Sequence, residues 1–171
     1  MVGSPDARVT VVEYASLTCP HCAEFHTATF ARLKSAYVDT GKVRWVLRHY
    51  PLDPLAMAAA LLVQCAAPDK RFGLASMMFQ GQNLWIAAPK PLEPLKQYAL
   101  LAGLNGAAAD ACLRDRAHFA AVRDAQLKSA DEHDVQFTPA FFIGADSIQG
   151  AADYDTLADA IDAALAVQAP K

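Results

Sequence analysis

The sequence predicts an α/β fold in which a strand–helix–strand unit and a closing strand–strand–helix unit are separated by a long helical block. Three observations carry this. Residues 9–14 (VTVVEY) and 43–50 (VRWVLRHY) are β-branched and aromatic runs of strand length on either side of a helical pattern over 20–38. Residues 54–134 hold no convincing strand and are rich in Ala, Leu and Met. Strand signal returns at 140–143 and 147–149, just before a last amphipathic helix over 154–166. This order assigns 1–53 and 135–171 to one discontinuous α/β domain and 54–134 to an inserted helical domain.

The first run is continuous enough to read as a strand buried on both faces, with Glu13 as its one charged interruption. In the helix that follows, Cys22, Phe25, Thr29, Leu33 and Tyr37 share one face, and Asp39-Thr40-Gly41 ends it. The second strand stops at Pro51-Leu52-Asp53-Pro54. Two strands joined by one helix suggest a βαβ unit with parallel pairing. Helices are expected over 55–66, 71–80, 92–101, 107–114 and 118–134, punctuated by Pro89, Pro91, Gly103 and Gly106. Gly144-Ala145-Asp146 joins the two late strands as a hairpin, and Leu157, Ile161 and Leu165 line the inner face of the last helix.

Composition narrows the function. At 171 residues the chain has the length of one domain, and 54% hydrophobic with 19% charged residues excludes disorder. A net charge of -3 argues against a phosphate-neutralising surface, so nucleic acid is not an expected partner. The least interrupted apolar stretch, 55–67, is too short to span a bilayer and is bracketed by Asp53 and Asp69. Met1-Val2-Gly3-Ser4-Pro5 shows neither a basic nor an apolar leader segment and reads as the cut end of a longer chain.

Four cysteines become the informative feature. Cys19-Pro20-His21-Cys22 follows the first strand and opens the first helix. Pro20 suits the first helical position, where its missing N–H costs nothing. Cys19 is then the N-cap, its sulfur facing unpaired N–H groups and the positive end of the helix dipole. Only about 3% of an ordinary thiol is ionised at pH 7, and such a site raises that fraction. His21, if protonated, adds to the effect, while Cys22 lies one turn inward on the core face. A zinc half-site or a stapling disulfide is the bland alternative. Zinc needs two further ligands, and no second C-x-x-C or H-x₃₋₅-H is present. A C-x-x-C after a strand in a βαβ pattern points instead to redox chemistry.

The run VTVVEYASLTCPHCAEFH, with TPAFFIG near the end and helices between, resembles the DsbA-like thiol oxidoreductases of the thioredoxin superfamily. The resemblance spans nearly the whole chain, and Pro-His between the cysteines matches the oxidase type. It implies a thioredoxin fold with an inserted helical domain. It further implies that Cys19 is the exposed, attacking cysteine and Cys22 the resolving one, with Pro20 and His21 tuning them. It places a cis-proline at Pro139, so that the backbone of Thr138 pairs with an extended substrate segment. Glu13 matches the family's buried acidic residue, which exchanges a proton with Cys22; otherwise it is a partly exposed strand end. Arg48 on the neighbouring strand is its expected partner.

Cys65 and Cys112 fall on apolar helix faces and read either as buried free thiols or as a bridge. The resemblance implies the bridge, as a structural disulfide apart from catalysis. His26 reads as a solvated or edge residue; His49, His118 and His133 show no ligand spacing. Met57, Met77, Met78, Phe72, Phe79 and Trp85 read as helical core. The implied function is a thiol:disulfide oxidase for reduced exported proteins, needing no metal or organic cofactor. It would act as a periplasmic monomer, not embedded in the membrane, and be reoxidised by a DsbB-type membrane oxidase. A disulfide isomerase or reductase on the same fold, or a redox-inert peptide-binding module, is the alternative.

Overall fold

In the computed structural model, which describes residues 1–168, a four-stranded sheet carries the architecture. Its strands are β1 (Val9–Ala15), β2 (Val43–His49), β3 (Ala140–Ile143) and β4 (Asp146–Gln149), ordered β2-β1-β3-β4. β1 and β2 are parallel, with Val9 opposite Val43 and Glu13 opposite Leu47; β3 runs antiparallel to both β1 and β4. The parallel pair requires a crossover, and α1 (residues 20–38) supplies it. Gly144, at φ 63, gives the β3–β4 hairpin the positive dihedral that its tight turn needs.

The inserted helices are α2 (Pro54–Cys65), α3 (Arg71–Gln80), α4 (Gln82–Ile86), α5 (Leu92–Leu101), α6 (Gly106–Arg114) and α7 (Arg116–His133), and α8 (Tyr154–Val167) closes the chain. Asp53, Asn105, Asp115 and Asp153 each cap a helix, their side chains accepting from first-turn N–H groups. The short α4 was not expected from sequence: five residues are too few to display a period, yet they bury Trp85 and Gln82 completely or nearly so.

Two sequence expectations need correction. β1 is not buried along both faces, because Thr10 is exposed and Val12 half-exposed. Only the carboxyl end of that second face is covered, where Tyr14 packs with Val135, Ala140 and Phe142. Nor is α1 a regular helix. Its segments Phe25–Thr29 and Lys34–Val38 are wide π-type turns. In these turns two neighbouring residues are buried together, Phe25 with His26 and Tyr37 with Val38.

Two cores result. On one face of the sheet, Val9, Val11, Trp45, Phe141 and Ile143 meet Phe25, Phe30 and Leu33 of α1 and Leu157 and Ile161 of α8. The other core joins Leu17, Cys19 and Cys22 to Leu62, Leu74, Met78, Phe79, Trp85 and Leu95 of the helical block. Burying each large aliphatic or aromatic side chain contributes about 1.5–3 kcal/mol. The cysteine turn and the inserted helices therefore share one core, and the insertion packs as part of the site's wall.

Candidate active site at the start of the first helix

Cys19 occupies the N-cap of α1 in an extended conformation, φ -74 and ψ 121, with Pro20 in the first turn. Its thiol is held well below the ordinary value, at about 5. The largest cause is a hydrogen bond from the Cys22 thiol, followed by donors on Thr138 and the backbone N–H groups of Cys22 and His21, against a cost for burial. A thiolate at a helix N-terminus is the chemical result. Only 6% of Cys19 is solvent-exposed, so this residue is not the open one that the resemblance implied. The shared core closes over all but its edge.

Cys22 is fully buried. Burial pushes its thiol far up, and the Cys19 and Glu13 charges push the same way. Both cysteines are free thiols in this structure. One sulfur is thus poised to ionise and its neighbour is kept protonated, an asymmetry that three residues of sequence separation and one helix turn create.

The Thr138–Pro139 peptide bond is cis and sets Thr138 directly across from the pair, with its carbonyl oxygen 3.2 Å from Cys19 Sγ. That carbonyl accepts from the thiol and can only repel the thiolate, whereas the Thr138 hydrogen bond to sulfur favours ionisation. Thr138 therefore acts on both protonation states. Phe137 beside it is 60% exposed, an apolar surface at the mouth of the site. The His21 ring lies at the surface, its Nδ1 3.7 Å from Glu24 Oε2, and His21 stabilises the Cys19 thiolate through its backbone N–H.

The helical block anchors the loop ahead of Cys19. Gln82, nearly fully buried, donates from Nε2 to the carbonyls of Leu17 and Cys19, both at 2.9 Å. The Thr18 hydroxyl donates to Asp53 Oδ2 at 2.5 Å, while Asp53 Oδ1 caps α2. Sequence reasoning passed over Gln82 and read Asp53 only as part of the turn after the second strand. A lone Gln after a Gly carries no motif, although a Gln beside a buried Trp was the available signal.

Beneath the pair, Glu13 is fully buried, its Oε2 accepting from Trp45 Nε1 at 2.8 Å and its Oε1 lying 2.9 Å from His26 Nε2. Arg48 is not its partner. The register sets Arg48 opposite Tyr14, on the other face of the sheet, and its side chain is exposed. His26 is likewise no edge residue: its side chain is fully enclosed, with the ring stacked on Phe79 at 4.2 Å. Cys65 and Cys112 are joined by a disulfide that ties the end of α2 to α6, in a hydrophobic cluster separate from the one that holds Cys19. Among the described residues, no group of three or more His, Cys, Asp or Glu is arranged to hold a metal ion, and no helix is long and apolar enough to cross a membrane.

Comparisons with known proteins follow the same lines. A thioredoxin family profile matches residues 1–163. A proposed protein-disulfide oxidoreductase of Rickettsia conorii is 31% identical over 173 residues, covering 100% of this chain and 62% of the relative. The chain thus spans less than two thirds of that relative's length. The crystal structure of Wolbachia pipientis alpha-DsbA1 superposes with a TM-score of 0.89 at 27% identity, covering 98% of this chain and 90% of the other. A protein-disulfide isomerase from Novosphingobium aromaticivorans shares the fold, with a TM-score of 0.82 at 24% identity and coverage of 96% and 95%. The chain belongs to the thioredoxin family, as a DsbA-like member with a helical insertion.

Proposed function

We propose that this chain is a thiol:disulfide oxidase that introduces disulfides into reduced exported proteins. The observation that carries the reading is the split between the two thiols, Cys19 held at about 5 and Cys22 pushed far up. In the oxidised enzyme a substrate thiolate attacks Cys19 Sγ. The Cys19–Cys22 bond breaks, Cys22 leaves with the electron pair, and a mixed disulfide forms. A second substrate thiolate then attacks the substrate sulfur of that mixed disulfide. Cys19 leaves as a stabilised thiolate, with the substrate oxidised by two electrons and the enzyme reduced. A stable Cys19 thiolate is a good leaving group and favours the reduced enzyme, which is what an oxidant requires.

Thr138 and Pro139 would align an extended substrate segment along the rim, and Phe137 would meet its apolar side chains. Glu13 would take or supply the proton of Cys22. The redox-active pair needs no metal or organic cofactor. The family resemblance supports action as a monomer in the periplasm or another exported compartment, with reoxidation by a DsbB-type membrane oxidase. Equilibration of Cys19–Cys22 with glutathione buffers tests the reading. An oxidase gives a potential above that of protein disulfide isomerase, roughly -180 mV. A value near the thioredoxin potential, roughly -270 mV, assigns a reductase instead.

A further inference from the structure

Glu13 and His26 form the one buried ion-pair contact among the described residues, both side chains fully enclosed. His26 Nδ1 is also the one buried side-chain nitrogen or oxygen recorded there without any hydrogen-bond partner. We propose that His26 is a positioning residue for proton transfer at Cys22: its neutral ring donates from Nε2 to Glu13 and holds that carboxylate in place to take the Cys22 proton. The proposal rests on Cys19 and Cys22 being the reacting pair.

The cage around the ring decides its protonation. Phe79 stacks on it at 4.2 Å, and Phe30 and Phe72 approach to 5.2 and 6.2 Å. An N–H at Nδ1 would have no acceptor in that cage, and orphaned buried donors are rarer and costlier than an unfilled lone pair. The ring therefore keeps its one proton on Nε2, facing Glu13 Oε1. Trp45 Nε1 can only donate, so Glu13 receives two N–H groups, one on each oxygen. The titratable groups facing the pair are Cys22 and, beyond it, Cys19, both on α1. β2 contributes only the Trp45 N–H, and α3 only the rings of Phe72 and Phe79.

The step balances. Cys22 Sγ–H passes its proton to a free lone pair of Glu13, giving the Cys22 thiolate and a neutral carboxyl. The thiolate attacks Cys19 Sγ of a mixed disulfide, the new Cys19–Cys22 bond forms, and the other sulfur leaves as a thiolate. In the oxidising direction Glu13 returns that proton to Cys22 as it leaves. His26 exchanges no proton with either sulfur. What it sets is how firmly N–H donors hold the Glu13 carboxylate while it accepts.

The test is the pH dependence of Cys22 attack on a Cys19–glutathione mixed disulfide, followed by glutathione release in a single turnover. His26→Phe removes the donor and keeps the ring volume, so its midpoint should move up by about one to two pH units. His26→Gln keeps an N–H donor and should restore the wild-type midpoint. Alkylation of Cys19 in the same variants should keep its wild-type profile; a wild-type Cys19 that alkylates like an ordinary thiol would sink the oxidase reading separately. A His26→Phe profile that overlays the wild type, or equal displacement by Phe and Gln, overturns the proposal. If His26→Phe does not fold, ¹⁵N chemical shifts of the wild-type ring decide: protonation at Nε2 alone supports it, and protonation at Nδ1 overturns it.

Discussion

Gln82 reaches from the inserted helices to the carbonyl of Cys19, which also accepts from the Ala23 N–H at 3.2 Å. The same amide nitrogen holds Leu17 O, so one buried side chain fixes both sides of the turn that presents the N-cap sulfur. The helical block does more than cover the site; it sets the angle at which the first helical N–H groups meet Cys19.

Gln82→Ala should therefore destabilise the protein by about 1–3 kcal/mol, the cost of leaving buried groups unpaired. It should also slow Cys19 alkylation at pH 6, because a looser turn weakens the contacts that stabilise the thiolate. Chemical denaturation and iodoacetamide kinetics read the two effects. Lost stability with an unchanged alkylation rate would confine Gln82 to packing.

Removing the second disulfide should separate stability from chemistry. Cys65 and Cys112 lie 47 residues apart in sequence and bridge α2 to α6, in a cluster that excludes the redox pair. The chain-entropy treatment gives about 4 kcal/mol for closing such a loop. Cys65→Ser with Cys112→Ser should lose stability of that order in oxidised, folded protein and still oxidise a reduced peptide at near the parent rate. Loss of oxidation in a variant that remains folded would mean that the bridge shapes the site.

Much of this architecture was legible because it follows period and punctuation. The strands at Val9–Ala15 and Val43–His49, the Pro20 helix start and the late β3–β4 pair all carry strong local signals. The cysteine pair was legible because a C-x-x-C after a strand has few other uses. His26 was not, although it lies four residues after Cys22 on the same inward stripe, because a single polar side chain among apolar ones carries no ligand or pairing signal in sequence. Arg48 was misplaced for another reason: one step of strand register moves a side chain to the opposite face. Gln82 joins residues more than sixty positions away in sequence, and no local pattern records such a contact.

Glu13→Gln illustrates how closely the buried pair is matched. Trp45 Nε1 must donate, so the Gln oxygen is forced toward it and the Gln NH₂ toward His26 Nε2. His26 must then accept at Nε2 and carry its proton on Nδ1, where no partner exists. The substitution should cost about 1–3 kcal/mol despite conserving volume. It should also slow attack by Cys22 by removing the proton acceptor, with Cys19 alkylation little changed. Equal stability and equal single-turnover rates from pH 5 to 9 would reduce Glu13 to a strand residue.

Titration of the reduced protein links the site to folding. Cys19 falls from an ordinary value of 9.0 when unfolded to about 5 in the native state. A lowered value means that the unfolded chain binds the proton more tightly, so reduced-state stability rises with pH between these limits. The contribution is complete above pH 9, shrinks as pH falls, and is absent below about 5. The Cys19–Cys22 disulfide has no such thiol, so the oxidised form should lack this slope. Urea unfolding of both forms at pH 4.5 and 7.5 should show reduced protein gaining stability over oxidised protein at the higher pH. Thiolate ultraviolet absorbance should rise with a midpoint near 5 and account for one sulfur, Cys22 staying silent. A Cys19 midpoint at the ordinary thiol value, with parallel stability curves for the two forms, would remove the physical basis for an oxidase.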